Sequence, residues 1–516
     1  MSAYPIYPAR SRFAIPESVA SLVLAHHHAD LDINGEFGWQ SLYSDESPFT
    51  NVHMQGFDQC QFSSSYVLDR DTHHHVALHF PPTPAPRILS SHSCGYRRNK
   101  PSEFFTMIDP LSFTGQLTGL LGPTAVFEYG SLTYAKVSGQ VCRSGNQGPY
   151  SSPWGGHATT FRESLNIGVL EGLERLACER PEDLSEVKEN IDSNARHYAP
   201  SDFGVEPGGW GACVPEVFAW VAGESLSTGD TVYLPAQLVY SCLPTPEKPW
   251  VQESSNGTAL GGTALEAQLF GMLEVIERDS FIAAWYGRIP LSQIDVASVD
   301  DTKFEAMAAR LKLAGERLVL LDATIGITVP TVIALAVSHS GQLCVGAGAH
   351  PDPLRAASSA LSEVASDFQI AQLRYTARKE RIEAMNADYS LVQFMEDHAD
   401  LFTRPASAEL VNFWLESDNK PKHLSEIGTH NHHSIESDMA FVLEQCVSAG
   451  FEPISVNCTT RILSAIGAQC WKTVIPGLIP IDFGQTQRVL HMPRLSKLAS
   501  NYTEFTEPNP VPHPFP

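Results

Sequence analysis

Two short segments carry carboxylates in a pattern that could do chemistry. They are Glu171-Gly172-Leu173-Glu174-Arg175, within NIGVLEGLERLA, and Glu274-Val275-Ile276-Glu277-Arg278, within LFGMLEVIERDS. Each follows a glycine-rich stretch and lies in an apolar run of helical texture. Residues three apart share a helix face, so each segment sets two carboxylates side by side. On a buried face such a pair repels itself and loses its hydration, and a hard divalent cation with oxygen ligands offsets both costs. One copy would read as an ordinary surface charge pattern; two copies in the same setting argue for a shared site. Glu266 joins them, lying eleven residues ahead of Glu277, about three helical turns, and so on nearly the same face. Three carboxylates from one helix and two from another could cradle more than one Mg²⁺ against the phosphates of a nucleotide.

The elements that must position these groups can be read in outline. SGNQGPYSSPWGGH reads as a loop rich in Gly, Ser and Pro that enters a helix over about residues 160–178. NGTALGG reads as a second such loop, opening the long helix of the second segment. Residues 125–141 alternate like a β-hairpin, and VPEVFAWVAG and DTVYLPAQLVYSC read as strands about a turn. RLVLLDATIGITVPTVIALAVS and QLCVGAGAH alternate like strands of a buried sheet, and a third long helix opens at Asp352-Pro353. Residues 380–434 are polar and read as partly loop, after which FEPISVNC and CWKTVIPGLIPIDFG return to strand texture. The fold class expected is mixed α/β, sheets flanked by helices with a cleft between the two glutamate helices.

Composition narrows the functions. At 516 residues and 43% hydrophobic content the chain can bury a large core. A formal net charge of -24 repels phosphate backbones, so nucleic acid is not an expected partner. Ten cysteines without a CxxC pair fit a reduced, intracellular chain whose thiols are mostly small apolar groups. The first residues lack the pattern of a secretory signal, and no apolar run is long enough for a membrane span, so a cytoplasmic location is expected. The histidine clusters at His26–His28, His73–His75 and His430–His433 have no companion Cys motif and read as polar loops. The glycine runs match neither a Walker loop nor a Rossmann fingerprint, and no G-x-S-x-G elbow occurs.

With these residues in view, the sequence resembles the YcaO family, and within it the cyclodehydratase components of azole-peptide biosynthesis. The resemblance rests on the two ExxER motifs, on Ser255-Asn256-Gly257 ahead of the second, on Glu266 eight residues before Glu274, and on VIPGLIPIDFG. It rests also on the ending Asn509-Pro510-Val511-Pro512-His513-Pro514-Phe515-Pro516, proline-rich as in azoline-forming members. It covers about residues 110–516 and implies a division into an N-terminal region (1–108), a YcaO catalytic domain (109–500) and a proline-rich tail (501–516). It implies ATP and Mg²⁺ as cofactors, with Glu171, Glu174, Glu274 and Glu277 as metal ligands. His157, Arg175, Ser255, Asn256, Glu266, Arg278 and Glu363 then contact the nucleotide, and Pro512, Pro514 and Pro516 belong to a stiff catalytic tail that reaches into the cleft.

The activity implied is ATP-dependent closure of Cys, Ser or Thr residues of a precursor peptide into thiazolines or oxazolines by phosphorylation of the amide oxygen. An E1-like partner binding the leader peptide and a flavin-dependent dehydrogenase are implied as well, hence a hetero-oligomer. Thioamide or amidine formation by a related enzyme, and a noncatalytic scaffold, are the alternatives. The sequence departs from the family pattern at several neutral or basic positions. His157 stands where a basic residue is common in the turn before the first helix, and Ile167 where a Ser is usual. Ala259 and Gly262 replace Ser and Asn, Ser366 replaces a Gln, and Ser359 an Arg.

Overall fold

A computed structural model describes most of residues 101–515. The undescribed stretches there are 107, 115–119, 122–123, 128–134, 146–147, 180, 205–217, 242, 244–254, 417–418, 429–433, 482 and 485–491. Before residue 101 it describes three strands, and there, as at 125–127, 135–145, 148–152, 369, 370 and 372, the backbone alone. Those strands, β1 (Phe49–Gln55), β2 (Ser64–Asp69) and β3 (His75–Ala77), form one antiparallel sheet. His26–His28, His73, His74 and His430–His433 lie outside the described residues.

The chain continues with β4 (Ala125–Phe127), β5 (Ala135–Gly145) and β6 (Gly148–Ala158), an antiparallel sheet, and then the first glutamate helix, α1 (Phe161–Ala177). Next come β7 (Trp220–Ser225), β8 (Thr231–Pro235), β9 (Thr258–Gly261) and the second glutamate helix, α2 (Ala264–Tyr286). A second layer follows: β10 (Ser292–Ile294), α3 (Thr302–Leu313), β11 (Arg317–Asp322), β12 (Thr331–Val337), β13 (Leu343–Ala349) and α4 (Pro353–Ala387). The chain then runs through α5 (Met395–Phe402), α6 (Ile435–Ser448), β14 (Ile454–Asn457), β15 (Gln469–Val474) and α7 (Pro493–Ala499). The mixed α/β class is as expected. Among the described residues no helix is long and apolar enough to cross a membrane.

The first glutamate helix lies on the sheet β4-β5-β6, and two further antiparallel sheets carry the second. The five-stranded one runs β8-β7-β14-β15-β9 and the four-stranded one β10-β11-β12-β13. Side chains alternate across a strand, and β12, buried along its whole length, divides its residues between two cores. Ile333, Leu335 and Val337 meet the C-terminal half of α2, whereas Val332, Ala334 and Ala336 meet α3 and α4.

Two expectations need correction, and one gains a physical reason. The glycine-rich stretch before α1 is a strand, β6, paired along its length with β5, and the stretch before α2 contains β9, paired with β15. The glycines there serve close packing. A Cβ on Gly168 would stand 2.9 Å from the Gly156 nitrogen, and one on Gly271 would stand 2.6 Å from the Gly257 oxygen. Each helix therefore lies directly on a strand backbone, at a spot only glycine allows. Residues 380–434 are partly loop, as expected, and part of their polarity is interior. Asp397 and Asp400 on α5 are buried and hold Arg381 and Arg378 of α4, Asp397 accepting from Arg381 Nε at 2.9 Å and Nη2 at 2.6 Å. Finally, the strand at CWKTV stops at Val474, because Pro476 and Gly477, the latter at φ 86°, turn the chain away.

Gly168→Ala and Gly271→Ala should each cost about 1–3 kcal/mol by overpacking, read as a lower midpoint in denaturant unfolding. An unchanged midpoint would show that the helix–strand approach is not the constraint.

Candidate active site

The close approach at Gly168 and Gly271 places the next turn of each helix beside its strand. Glu171 accepts from the Gly155 N–H at 3.3 Å, and Glu274 accepts from the Gly257 N–H at 3.1 Å. In both motifs the arginine four residues on closes the other oxygen. Arg175 Nη2 donates to Glu171 at 3.0 Å, and Arg278 Nη2 stands 3.5 Å from Glu274. The helices also start alike, with Thr160 and Thr263 accepting from the backbone N–H of Glu163 and Glu266. This Thr-x-x-Glu capping signature repeats at the same offset as ExxER, so the duplication extends further upstream than the motif alone.

Glu277 reaches the other sheet. It accepts from the Ala349 N–H at the end of β13 at 3.1 Å and from Arg278 Nη1 at 2.7 Å. Glu363 of α4 accepts from the Ala347 N–H of the same strand at 3.0 Å. The described residues offer the Glu174 carboxylate no hydrogen bond or ion pair. The expected residues Glu171, Glu174, Arg175, Glu274, Glu277, Arg278 and Glu363 thus come together electrostatically where α1, α2 and α4 meet. Ser255 and Asn256 form the turn into β9, beside the anchoring Gly257. Glu266 is buried at the first turn of α2, its carboxylate held by the Gly262 N–H at 2.6 Å. His157 stands half-buried on β6, opposite Lys136 and two residues past Gly155.

The charges are unbalanced. Burial pushes Glu174 well above the ordinary carboxylate range; Arg175 offsets part of this, while Glu274 and Glu171 add to it. Burial likewise raises Glu277, and it pushes Glu363, with the neighbouring Glu277, up to about 8. Burial works against the charge on Arg278, yet Glu277, Glu274 and Glu363 hold it more firmly protonated than usual. A further cation was not foreseen. Lys472 of β15 is 3% exposed; burial lowers its pKa, against the pull of Cys178 and Glu274. Nothing in its local sequence marks it, since only sheet pairing brings it opposite Thr258 on β9.

The upward shifts of Glu174, Glu277 and Glu363 mark a surplus of carboxyl over guanidinium groups at this junction. Among the described residues no three His, Cys, Asp or Glu donors cluster tightly enough to ligate one ion by themselves.

The tail enters the same region. Asn509 and residues 511–515 are buried, while Pro510 is exposed. The Asn509 N–H donates to the Tyr286 oxygen at 2.8 Å, and Trp285 Nε1 donates to the Val511 oxygen at 2.8 Å. His398 of α5 receives the Gly484 N–H on Nε2 at 2.9 Å, so its Nδ1 carries the proton and donates to the His513 oxygen at 2.9 Å. Burial holds His398 down at about 4, neutral at working pH. Phe515 ends the run with its ring 4.0 Å from the Arg278 guanidinium carbon. Pro512 and Pro514 are buried in this path, and Pro516 lies outside the described residues.

Residues 155–479 match the family model described as YcaO cyclodehydratase, ATP- and Mg²⁺-binding. An uncharacterized protein from the tfuA 3′ region of Rhizobium leguminosarum bv. trifolii is 28% identical over 343 residues, covering 61% of this chain and 74% of that protein. A heterocyclase solved in complex with substrate and cofactor is 19% identical with a TM-score of 0.65, over 88% of this chain and 64% of its own. This chain therefore spans a little under two thirds of that heterocyclase. YcaO from Methanopyrus kandleri, bound with AMPPCP and Mg²⁺, is 22% identical with a TM-score of 0.51, over 69% and 85% of the two chains. The structural likenesses show a shared fold.

Two outcomes are expected. Glu174→Gln and Glu277→Gln should each abolish ATP turnover in a phosphate-release assay, and turnover at the normal rate would remove these residues from the site. The folded chain keeps the Glu363 proton up to about 8, whereas the unfolded chain loses it near the ordinary value of 4.5. The folded state thus binds more protons in that window, and stability should fall as pH rises through it. Saturating Mg²⁺ with AMPPCP should flatten that slope in thermal unfolding; a slope of opposite sign without ligand would contradict the assignment.

Proposed function

This chain belongs to the YcaO family, and from that premise we propose that it is an ATP-dependent cyclodehydratase. Its proposed substrate is a ribosomally made precursor peptide, whose Cys, Ser or Thr residues become thiazolines or oxazolines. The observation that carries the ring-forming reading is the buried tail, which ends with Phe515 against Arg278 among the carboxylates.

Ring closure requires a substrate thiol or hydroxyl to add to the carbon of the preceding amide and the amide oxygen then to depart. ATP with Mg²⁺, when bound, supplies phosphorylation of that oxygen, which would otherwise leave as hydroxide. The chain's own task is positioning and charge. Glu171 and Glu274, each fixed by a backbone N–H and an arginine, hold negative charge at defined points on two facing helices. Glu174, Glu277 and Glu363 would be further carboxyls toward Mg²⁺, each raised above its ordinary range by burial. Ser255, Asn256, Glu266 and His157 are assigned to the rim that receives the nucleotide. The tail is assigned to one side of the cleft, where Phe515 lies against Arg278.

Leader-peptide recognition is assigned to a separate E1-like partner, and oxidation of the azolines to a flavin-dependent dehydrogenase. Thioamide or amidine formation gives the buried tail no task, and a noncatalytic scaffold gives none to the carboxylates.

The test is mass spectrometry of a cognate precursor peptide incubated with the chain, its partner and ATP. Loss of one water per ring is expected, and a chain ending at Asn509, which lacks the contact of Phe515 with Arg278, should form rings markedly more slowly. Exchange of oxygen for sulfur, or full activity after truncation, would contradict the ring-forming reading.

A further inference from the structure

The arginines of the two motifs are held differently. Arg175 is paired with Glu171, and its buried Nε finds no hydrogen-bond acceptor. Arg278 is paired with both Glu274 and Glu277, and one face of its guanidinium is covered by the Phe515 ring at 4.0 Å. That ring is 3% exposed and stacks edge-on against Phe281 of α2, with centroids 4.8 Å apart. Its place is set upstream by three backbone contacts, Asn509 to Tyr286, Trp285 to Val511, and His398 to His513. Arg288 adds a fourth anchor. It adopts a left-handed φ of 46°, a conformation unfavourable for any side chain but glycine, and its Nη2 lies 3.4 Å from Asn509 Oδ1. The tail is thus registered against α2 one turn at a time, and the registration ends on the arginine that ties Glu274 to Glu277.

We propose that Phe515 is a positioning residue for the metal–nucleotide site, bracing Arg278 so that Glu274 and Glu277 are set before any peptide binds. The aromatic face attracts the guanidinium and blocks the direction in which it could swing away from the carboxylates. A loose Arg278 would leave Glu277 and Glu274 free to relax, and the site would have to be ordered again at each binding event. The tail accordingly acts on nucleotide affinity as well as on the ring-forming step. This inference rests on the reading of Glu274 and Glu277 as holders of Mg²⁺ and nucleotide.

The test is calorimetric titration of the full chain with AMPPCP in Mg²⁺, without peptide. Phe515→Ala should weaken binding roughly 3- to 30-fold, the range expected for loss of a partly desolvated cation–π contact, and Phe515→Tyr should restore it to within about twofold. Phe515→Leu fills much of the space without a π face and keeps the test sound if the alanine variant folds poorly; it should bind as weakly as alanine does. Wild-type affinity in Phe515→Leu, or in a folded Phe515→Ala, overturns the proposal. Glu277→Gln serves as the control that separates the two ideas. If it binds as wild type does, the reading of the site has failed; if it fails to bind while Phe515→Ala binds normally, only the brace has failed.

Discussion

The structure depends on one electrostatic constraint: several glutamates must stay close together where water screens them poorly. Coulomb repulsion between like charges grows as the local dielectric falls, and every carboxylate of the group but Glu174 has a fixed donor. Backbone N–H groups at Gly155, Gly257, Gly262, Ala347 and Ala349 supply them, and Arg175 and Arg278 supply further ones. Two of those N–H groups are available only because α1 and α2 lie directly on strand backbones at Gly168 and Gly271. The helix–strand contacts are therefore part of the electrostatics.

The second sheet and the tail act on the same constraint from other directions. The end of β13 meets both Glu277 and Glu363, so the four-stranded sheet joins α4 to the cluster through two neighbouring backbone donors. α5 is locked to α4 by the buried aspartates that bind Arg381 and Arg378. That lock sets His398, whose single available proton fixes the tail at His513. A chain of short contacts thus runs from α4 through α5 and the tail back to Arg278 on α2.

That the carboxylates and their arginines come together could be anticipated from the sequence, because their residue types and helical spacing are local properties. Glu363 was placed by resemblance, and the structure sets it beside Ala347, in the field of Glu277 and Arg278. The glycine-rich stretches misled because glycine in β6 and β9 answers to a neighbouring helix, a demand invisible in the strand itself. Residues 380–434 are partly loop as expected, but the polarity of Asp397, His398 and Asp400 is internal, because their partners lie on other segments. Lys472 and the contact of Phe515 with Arg278 depend wholly on tertiary pairing. The proline tail was recognisable as a rod, whereas the groove that receives it is assembled from α2 and α5.

Burial raises Glu174, Glu277 and Glu363 above the ordinary carboxylate range, so binding of Mg²⁺ and nucleotide beside them is expected to draw protons from the cluster. Isothermal titration at pH 7 with AMPPCP already saturated with Mg²⁺, in two buffers of different ionisation enthalpy, counts those protons directly. The account predicts net release of protons on binding, lost in Glu363→Gln to the extent that Glu363 contributes. Identical binding enthalpies in the two buffers, meaning no proton exchange, would contradict it.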